Sequence, residues 1–348
     1  MMSLVILLLL LLQRQGEALA DVAAPAASRI EGQRRISPIG SRTVRLPNLH
    51  GTRVRLFYPC PEEAVAAGYA YGPCDTDGRG LGGFRMGRRT CSGCVQDAPL
   101  TPPPDGTYPL LIYSHGIGSN MDSAVNLFRS VAAAGGAGGG AVVAAVEHTD
   151  GTASPYTVAP DGTELGFSAY FMTERQQLSR RASELLDAAE HVPSLLGASK
   201  GGDIGDILLG GHGYGAPAAV MAANGAPAEC KIEGLILHDP TLGIGYGMLP
   251  PNGAENRLPC VTYVSDRYHK RRVRYGSRTL HVKGSKHESF LDAPLWTPGR
   301  RLAGLSPLSA PDPAQVHEEL ADSMVAFLRT RNAKSAEVGG KSSGLLQD

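Results

Sequence analysis

A doubly wound α/β fold, with a mostly parallel sheet and an antiparallel N-terminal hairpin, is the architecture this sequence predicts. Three observations lead there. Short apolar runs alternate with stretches of helical pattern, and these runs are too uniformly apolar for strands with one face in water. A glycine-bounded turn, Gly211-His-Gly-Tyr-Gly215, separates an apolar run from a helix-compatible one. Finally, 348 residues with 42% hydrophobic content suffice to bury one sizeable core.

Along the chain, residues 43–46 and 53–58 alternate apolar and polar across Pro47-Asn-Leu-His-Gly51, which predicts an antiparallel hairpin at the edge of the sheet. Residues 110–113, 141–146, 207–210, 234–238, 260–264 and 279–282 read as strands buried on both faces. Helices are expected at 122–134, 174–190 and 215–223. The last helix has the clearest start, with Asp312 as cap and Pro313 in the first position. Its apolar face is Val316, Leu320, Met324, Phe327 and Leu328. The glycine run at 135–140 precedes a strand and lacks a following Lys-Ser, so it is not a phosphate loop.

The turn at 211–215 has the shape of a nucleophile elbow, G-x-S-x-G, in which a serine sits at a strained apex between two glycines. Gly213 takes the serine's place here. That position therefore offers no oxygen to attack a carbonyl, and a neighbouring base has nothing to deprotonate. The remaining parts follow in order. Asp239 ends the run at 234–238, where a carboxylate can orient a base, and His287 lies on the loop beyond the run at 279–282. Elbow, acid, histidine is the chain order of an α/β-hydrolase triad. The loop Ser114-His-Gly-Ile-Gly118 can present the Ile117 amide to an acyl oxygen, with the Tyr214 amide as second donor, because an oxyanion hole needs backbone N–H groups.

Three other serines are candidate nucleophiles by pattern or position. Gly197-Ala-Ser-Lys-Gly201 matches the elbow pattern literally, but Ser199 lacks a strand before it and a helix after it, so the segment reads as a loop. Ser114 and Ser285 read as loop hydroxyls that hydrogen-bond locally.

Taken together, several motifs in order give the chain its resemblance to the secreted platelet-activating-factor acetylhydrolases. They are Arg55-Leu-Phe-Tyr-Pro59, Tyr108-Pro-Leu-Leu-Ile-Tyr-Ser-His-Gly-Ile-Gly118, Val143-Ala-Ala-Val-Glu-His-Thr-Asp150 with Ala153-Ser154, the helix start at 175–181, the elbow, Asp239, and Gly284-Ser-Lys-His287. The resemblance implies an α/β-hydrolase fold and calcium-independent hydrolysis of short or oxidised acyl groups at the middle position of glycerophospholipids. It also implies His287 as base, Asp239 as its orienter, and Ile117 and Tyr214 as oxyanion donors. The family's serine falls on Gly213, so hydrolysis is expected to be lost or severely reduced. Two alternatives stand beside this reading: an active lipid esterase, with a relocated nucleophile or with water activated by His287, and a non-catalytic lipid- or partner-binding module.

Lys plus Arg and Asp plus Glu number 33 each, so no global field favours nucleic acid. An apolar run over residues 4–12, followed by Ala18-Leu-Ala20, reads as a signal peptide over 1–20 and hence a secreted protein, with a retained short anchor as the alternative. Residues 21–331 form the expected single hydrolase domain, and the polar tail at 332–348 is expected to be disordered. A cysteine-rich insertion at 60–94 holds Cys60, Cys74, Cys91 and Cys94, read as disulfides, with a four-cysteine zinc site as the rival. Cys230 and Cys260 flank core strands as a third bridge or as buried thiols. Residues 155–171 suggest a hairpin around Pro160-Asp-Gly162, ending in an aromatic run that serves as a pocket wall or as ordinary packing. Basic and aromatic residues interleave at 267–275, which suits either an anionic lipid surface or a solvated loop. The expected partners are a phospholipid or other acyl-ester ligand and a membrane or lipoprotein surface, with no cofactor and no metal.

Overall fold

The computed structural model describes residues 38–68, 71–79, 85–104, 106–134, 140–154, 156–168, 175–196, 203–241, 258–296, 311–332, 334–336 and 344–347, the segments 71–79 and 85–93 as backbone alone. The leader, Ser199 and most of the aromatic run after Phe167 lie outside these residues. The strands are β1 (Ile39–Arg45), β2 (Arg53–Pro59), β3 (Tyr71–Arg79), β4 (Arg85–Gln96), β5 (Tyr108–Ser114), β6 (Val142–Glu147), β7 (Tyr156–Val158), β8 (Glu164–Gly166), β9 (Ile204–His212), β10 (Ile232–His238), β11 (Cys260–Val264), β12 (Arg278–Val282) and β13 (Leu346–Gln347). Helices are α1 (Val125–Ala133), α2 (Arg175–Leu195), α3 (Gly215–Gly225), α4 (Asp266–Lys270), α5 (Ala293–Trp296) and α6 (Pro313–Thr330).

An 11-stranded sheet runs β13-β12-β11-β10-β9-β5-β6-β2-β1-β4-β3. From β12 through β6 every neighbouring pair is parallel. Strands buried on both faces must be apolar throughout, and Leu110, Leu111 and Ile112 show why, since all three are fully buried. Their alternation divides the core between the faces. Leu111 and Tyr113 pack with Phe128 of α1 and Met324 of α6, whereas Leu110 and Ile112 pack with Leu178 and Leu185 of α2 and Ala218 of α3. Asp312 caps α6 by accepting from the Ala314 amide, and Pro313 occupies its first turn.

Three expectations need correcting. The hairpin of β1 and β2 is antiparallel but does not lie at the edge, because β4 pairs in parallel with β1 and carries β3 beyond it. The cysteine-rich insertion thus orders itself by extending the sheet. Nor is the tail structureless: Leu346 and Gln347 pair antiparallel with β12, and Leu346 and Ala336 are buried. Cys60, Cys94, Cys230 and Cys260 are free thiols, while the side chains of Cys74 and Cys91 lie outside the description. Cys60 and Cys94 face different apolar clusters, where each serves as a small hydrophobe. Among the described residues no three metal-ligating side chains cluster. The expected hairpin around Pro160 is present as β7 and β8.

A buried polar network fastens α2 to the loops at the C-terminal ends of β5 and β6. The Arg181 guanidinium pairs with the Asp150 carboxylate at 2.7 Å, both side chains fully buried, and also donates to the carbonyl of His115. Burial is the largest single influence and raises the Asp150 carboxyl, but Arg181, His148 and the hydrogen bonds from Thr152 and Arg181 together outweigh it and hold the carboxyl far below the usual range. Glu184, one turn along α2, accepts from the Thr149 amide and hydroxyl and from His148.

Two outcomes follow for the fold. Arg181→Met leaves a buried carboxylate unpaired and should lower unfolding stability by about 3–5 kcal/mol, with the added change Asp150→Asn restoring part of it. Denaturant titration reads this, and a loss under about 1 kcal/mol would contradict it. Unreduced protein, alkylated only after unfolding, should carry label on Cys60, Cys94, Cys230 and Cys260, whereas a disulfide-linked peptide joining any two of these would contradict the structure.

Candidate active site

The turn after β9 sets the geometry around it. Gly213 sits at φ +55°, a left-handed conformation that costs a side-chain-bearing residue roughly 1–2 kcal/mol. The flanking glycines answer a different need. A methyl carbon on Gly211 would lie 2.4 Å from the backbone of Gly215, and one on Gly215 would lie 2.1 Å from the carbonyl oxygen of Ser114. Only bare backbone lets α3 fold back against β9 and β5 this closely. The Gly213 amide donates to the His238 carbonyl and the Thr241 amide donates to the Gly213 carbonyl, each at 3.0 Å, so the turn is tied to the end of β10.

Asp239 follows β10 directly and is fully buried. Its carboxylate accepts from the Ser265 amide at 2.7 Å, the Ser265 hydroxyl at 2.6 Å and Nδ1 of His287 at 3.1 Å. Held by these bonds, the carboxylate is fixed in place and in turn orients its imidazole partner. His287 opens a short 3-10 turn beyond β12. With Nδ1 committed to Asp239, Nε2 points toward the elbow: a carbon built on Gly213 would lie 3.3 Å from it. The side chain of His287 is 34% exposed, so solvent reaches it.

The ring of His287 lies between two others, His212 at 4.1 Å and Tyr268 at 5.6 Å, the latter nearly parallel at 7°. His212 also donates from Nε2 to the His287 carbonyl. Burial, reinforced by His287 and His238, holds the His212 imidazole well below its ordinary value, so it stays neutral beside the base. Behind it, His238 bonds to the Tyr113 hydroxyl at 2.6 Å and is pushed down by burial to about 3.

Ile117 and Tyr214 flank the same turn on the loops after β5 and β9. Neither amide donates to an acceptor among the described residues. The loop that carries Ile117 is held at the Gly118 amide by the Thr152 carbonyl and at the His115 carbonyl by Arg181. Arg181 also lies over the Tyr214 ring at 5.0 Å. One buried guanidinium thus braces both loops, and preorganised donors are what an oxyanion hole requires.

Ser114 departs from the local hydrogen bonding expected of it. Its hydroxyl meets Nε2 of His148 at 2.7 Å, and Nδ1 of His148 meets Glu184 at 2.6 Å. The order serine, histidine, carboxylate imitates a catalytic chain, yet all three side chains are buried and no acyl group can reach them. Burial pushes Glu184 up to about 7 and His148 well down, which suits a closed proton-sharing chain that braces the loop. Ser285 does bond locally, to the Val282 carbonyl.

Of the residues singled out from sequence, Gly213, Asp239 and His287 come together, with Ile117 and Tyr214 on the adjoining loops. Sequence reasoning passed over Ser265, Tyr268, Thr241 and His212 as parts of the site, and it noted Arg181 only within a motif. The signal available for Ser265 was its place one residue past a buried strand, the same relation that singled out Asp239.

The sequence profile of platelet-activating factor acetylhydrolase, isoform II, matches residues 39–192. This covers β1 to α2 and stops before the elbow. No curated protein matches the chain. Among solved structures, a ferulic acid esterase from Streptomyces cinnamoneus is similar with 19% identity and a TM-score of 0.60, over 91% of this chain and 94% of that one. A dienelactone hydrolase from Anabaena variabilis (12% identity, TM-score 0.38, 77% of this chain and 95% of that one) and a bacterial heroin esterase (15%, 0.36, 87% and 90%) overlap less well. At these identities the likeness concerns the fold, and it rests on the first structure. The chain has an α/β-hydrolase fold, and its N-terminal part matches the acetylhydrolase profile.

Proposed function

We propose that this chain is a platelet-activating-factor-acetylhydrolase-like protein that accepts an acyl-ester phospholipid and hydrolyses it at most very slowly. The observation that carries the reading is the direction of His287: with Nδ1 on Asp239, its Nε2 lies 3.3 Å from where the first side-chain atom of residue 213 would stand. Base, orienter and candidate oxyanion donors surround a position that has no nucleophile. The profile match over residues 39–192 supports the family assignment and the lipid-ester substrate class. On the leader reading of residues 1–20, the lipid is met outside the cell.

Removing the serine of such a triad costs on the order of a millionfold in turnover, and the oxyanion hole with binding leaves roughly a thousandfold over water. Slow turnover by the chain as it stands is therefore consistent with the reading. Water reaching the exposed edge of His287 supplies the attacking oxygen in that residual route. The Ser114 hydroxyl does not, since it is fully buried.

The test is Gly213→Ser. The nearest atoms to a Cβ at residue 213 are the end of His287 at 3.3 Å and the Thr241 hydroxyl at 3.8 Å, so a shift of the imidazole by a few tenths of an ångström admits it. The variant should fold with a loss of about 1 kcal/mol from the left-handed backbone. It should gain at least about a hundredfold in hydrolysis of short-acyl esters, and His287→Ala should abolish the gain. An organophosphonate serine probe should leave the original chain unlabelled and label the variant at residue 213. Strong labelling of the original chain at any serine would contradict the reading, and a folded but inert variant would leave only ligand binding.

A further inference from the structure

Two kinds of side chain border the site without serving its chemistry. The first lies on the segment after β11. Ser265 anchors its start on Asp239, and α4 then turns Tyr268 inward onto His287. Arg267, Lys270, Arg271, Arg272 and Arg274 all remain exposed. Backbone bonds from Arg271 to Arg267, Arg272 to His269 and Val273 to Tyr268 hold these positions in one compact turn. Asp266, the acid of the segment, is already engaged by His281 and the Gly284 amide. Among the described residues no carboxylate forms an ion pair with these cations. A chain with 33 charges of each sign therefore concentrates unneutralised positive charge beside the site.

The second kind is apolar. Leu49, at the tip of the turn joining β1 and β2, is 91% exposed, and Leu165 on β8 is 38% exposed. The turn is stiff: Asn48 bonds Thr52 and Asp187, and Arg45 clamps it to the β7–β8 hairpin through the carbonyls of Val158 and Ala159. Pairing of Arg53 with Glu147 places this turn at the C-terminal end of β6. That is the sheet edge on which Gly213, Asp239 and Ser265 stand, at the ends of β9, β10 and β11. In strand order, leucines flank the elbow on the β2 and β6 side and cations flank it on the β11 side.

We propose that this edge is a docking face for bilayers containing anionic phospholipid, with the cations of the 267–274 turn held at the headgroups and Leu49 entering the interface. It rests on the lipid-ester reading for its purpose and brings the Gly213 and His287 mouth against the lipid that supplies the ester. Clustered cations attract an anionic surface over about a Debye length, roughly 8 Å in physiological salt, so a local cluster acts even in a neutral chain.

Vesicle co-sedimentation of the full chain tests this, comparing neutral phosphatidylcholine vesicles with vesicles containing about 30% phosphatidylserine, a strongly anionic surface. The ratio of anionic to neutral binding should be well above one and should collapse as salt rises toward about 0.5 M. Lys270→Gln, Arg272→Gln and Arg274→Gln together should lower anionic binding about a hundredfold, near fivefold per cation, with an unchanged melting temperature. Leu49→Asp should weaken binding to both kinds of vesicle. Equal binding to both vesicles, binding to neither, or a triple variant that binds like the original chain would overturn the proposal. Turnover of a soluble short-acyl ester by Gly213→Ser is read separately: an inert variant with intact vesicle binding sinks the ester reading, and an active variant without it sinks the docking face.

Discussion

The sharp turn at Gly213 is the constraint on which the site depends. It requires contact between α3 and the β9 and β5 backbones so close that neither Gly211 nor Gly215 can carry a side chain. It also requires a left-handed residue at the apex, tied by hydrogen bonds to the end of β10. Once the turn is made, Asp239 is carried to the same sheet edge by the strand that receives those bonds. His287 then packs its ring against His212 and Tyr268, with Nδ1 on Asp239 and Nε2 near the apex. Glycine at the apex satisfies this left-handed backbone more readily than serine would.

That geometry is maintained by buried charge rather than by apolar packing alone. Arg181 and Asp150 are costly to bury and hold their place only as a pair. In return they fix the loops bearing Ile117 and Tyr214, and the Ser114, His148 and Glu184 chain fixes the end of β5 from beneath. Apolar side chains in these positions could serve stability as well, so what the network contributes is the fixed geometry of the loops it joins.

Much of this was legible in the sequence because it is local. The elbow glycines, the runs that became β5, β6, β9, β10, β11 and β12, and the order of Asp239 and His287 are all readable within short windows. What was not legible depends on contacts between distant segments. Ser265 meets Asp239 across two neighbouring strands, Ser114 finds its partner in His148 rather than nearby, and Tyr268 is recognisable as a wall of the site only once α4 has folded. The insertion at 60–94 misled for a related reason. Its composition lacks the alternation of a half-buried hairpin, yet β4 gains order from pairing with β1, an interaction carried by the backbone and invisible to side-chain periodicity. Cysteine count likewise suggested bridges, whereas Cys60 and Cys94 point into separate apolar clusters.

The central claim is that machinery for acyl transfer remains assembled around an empty nucleophile position. A crystal structure of Gly213→Ser after reaction with an organophosphonate tests it most directly, because the phosphonyl oxygen mimics the developing oxyanion. The account predicts that oxygen within about 3 Å of both the Ile117 and Tyr214 amides, with Nε2 of His287 facing the new ester oxygen and Asp239 still bonded to Nδ1. A phosphonyl oxygen turned to solvent, or an imidazole swung away from residue 213, would contradict it.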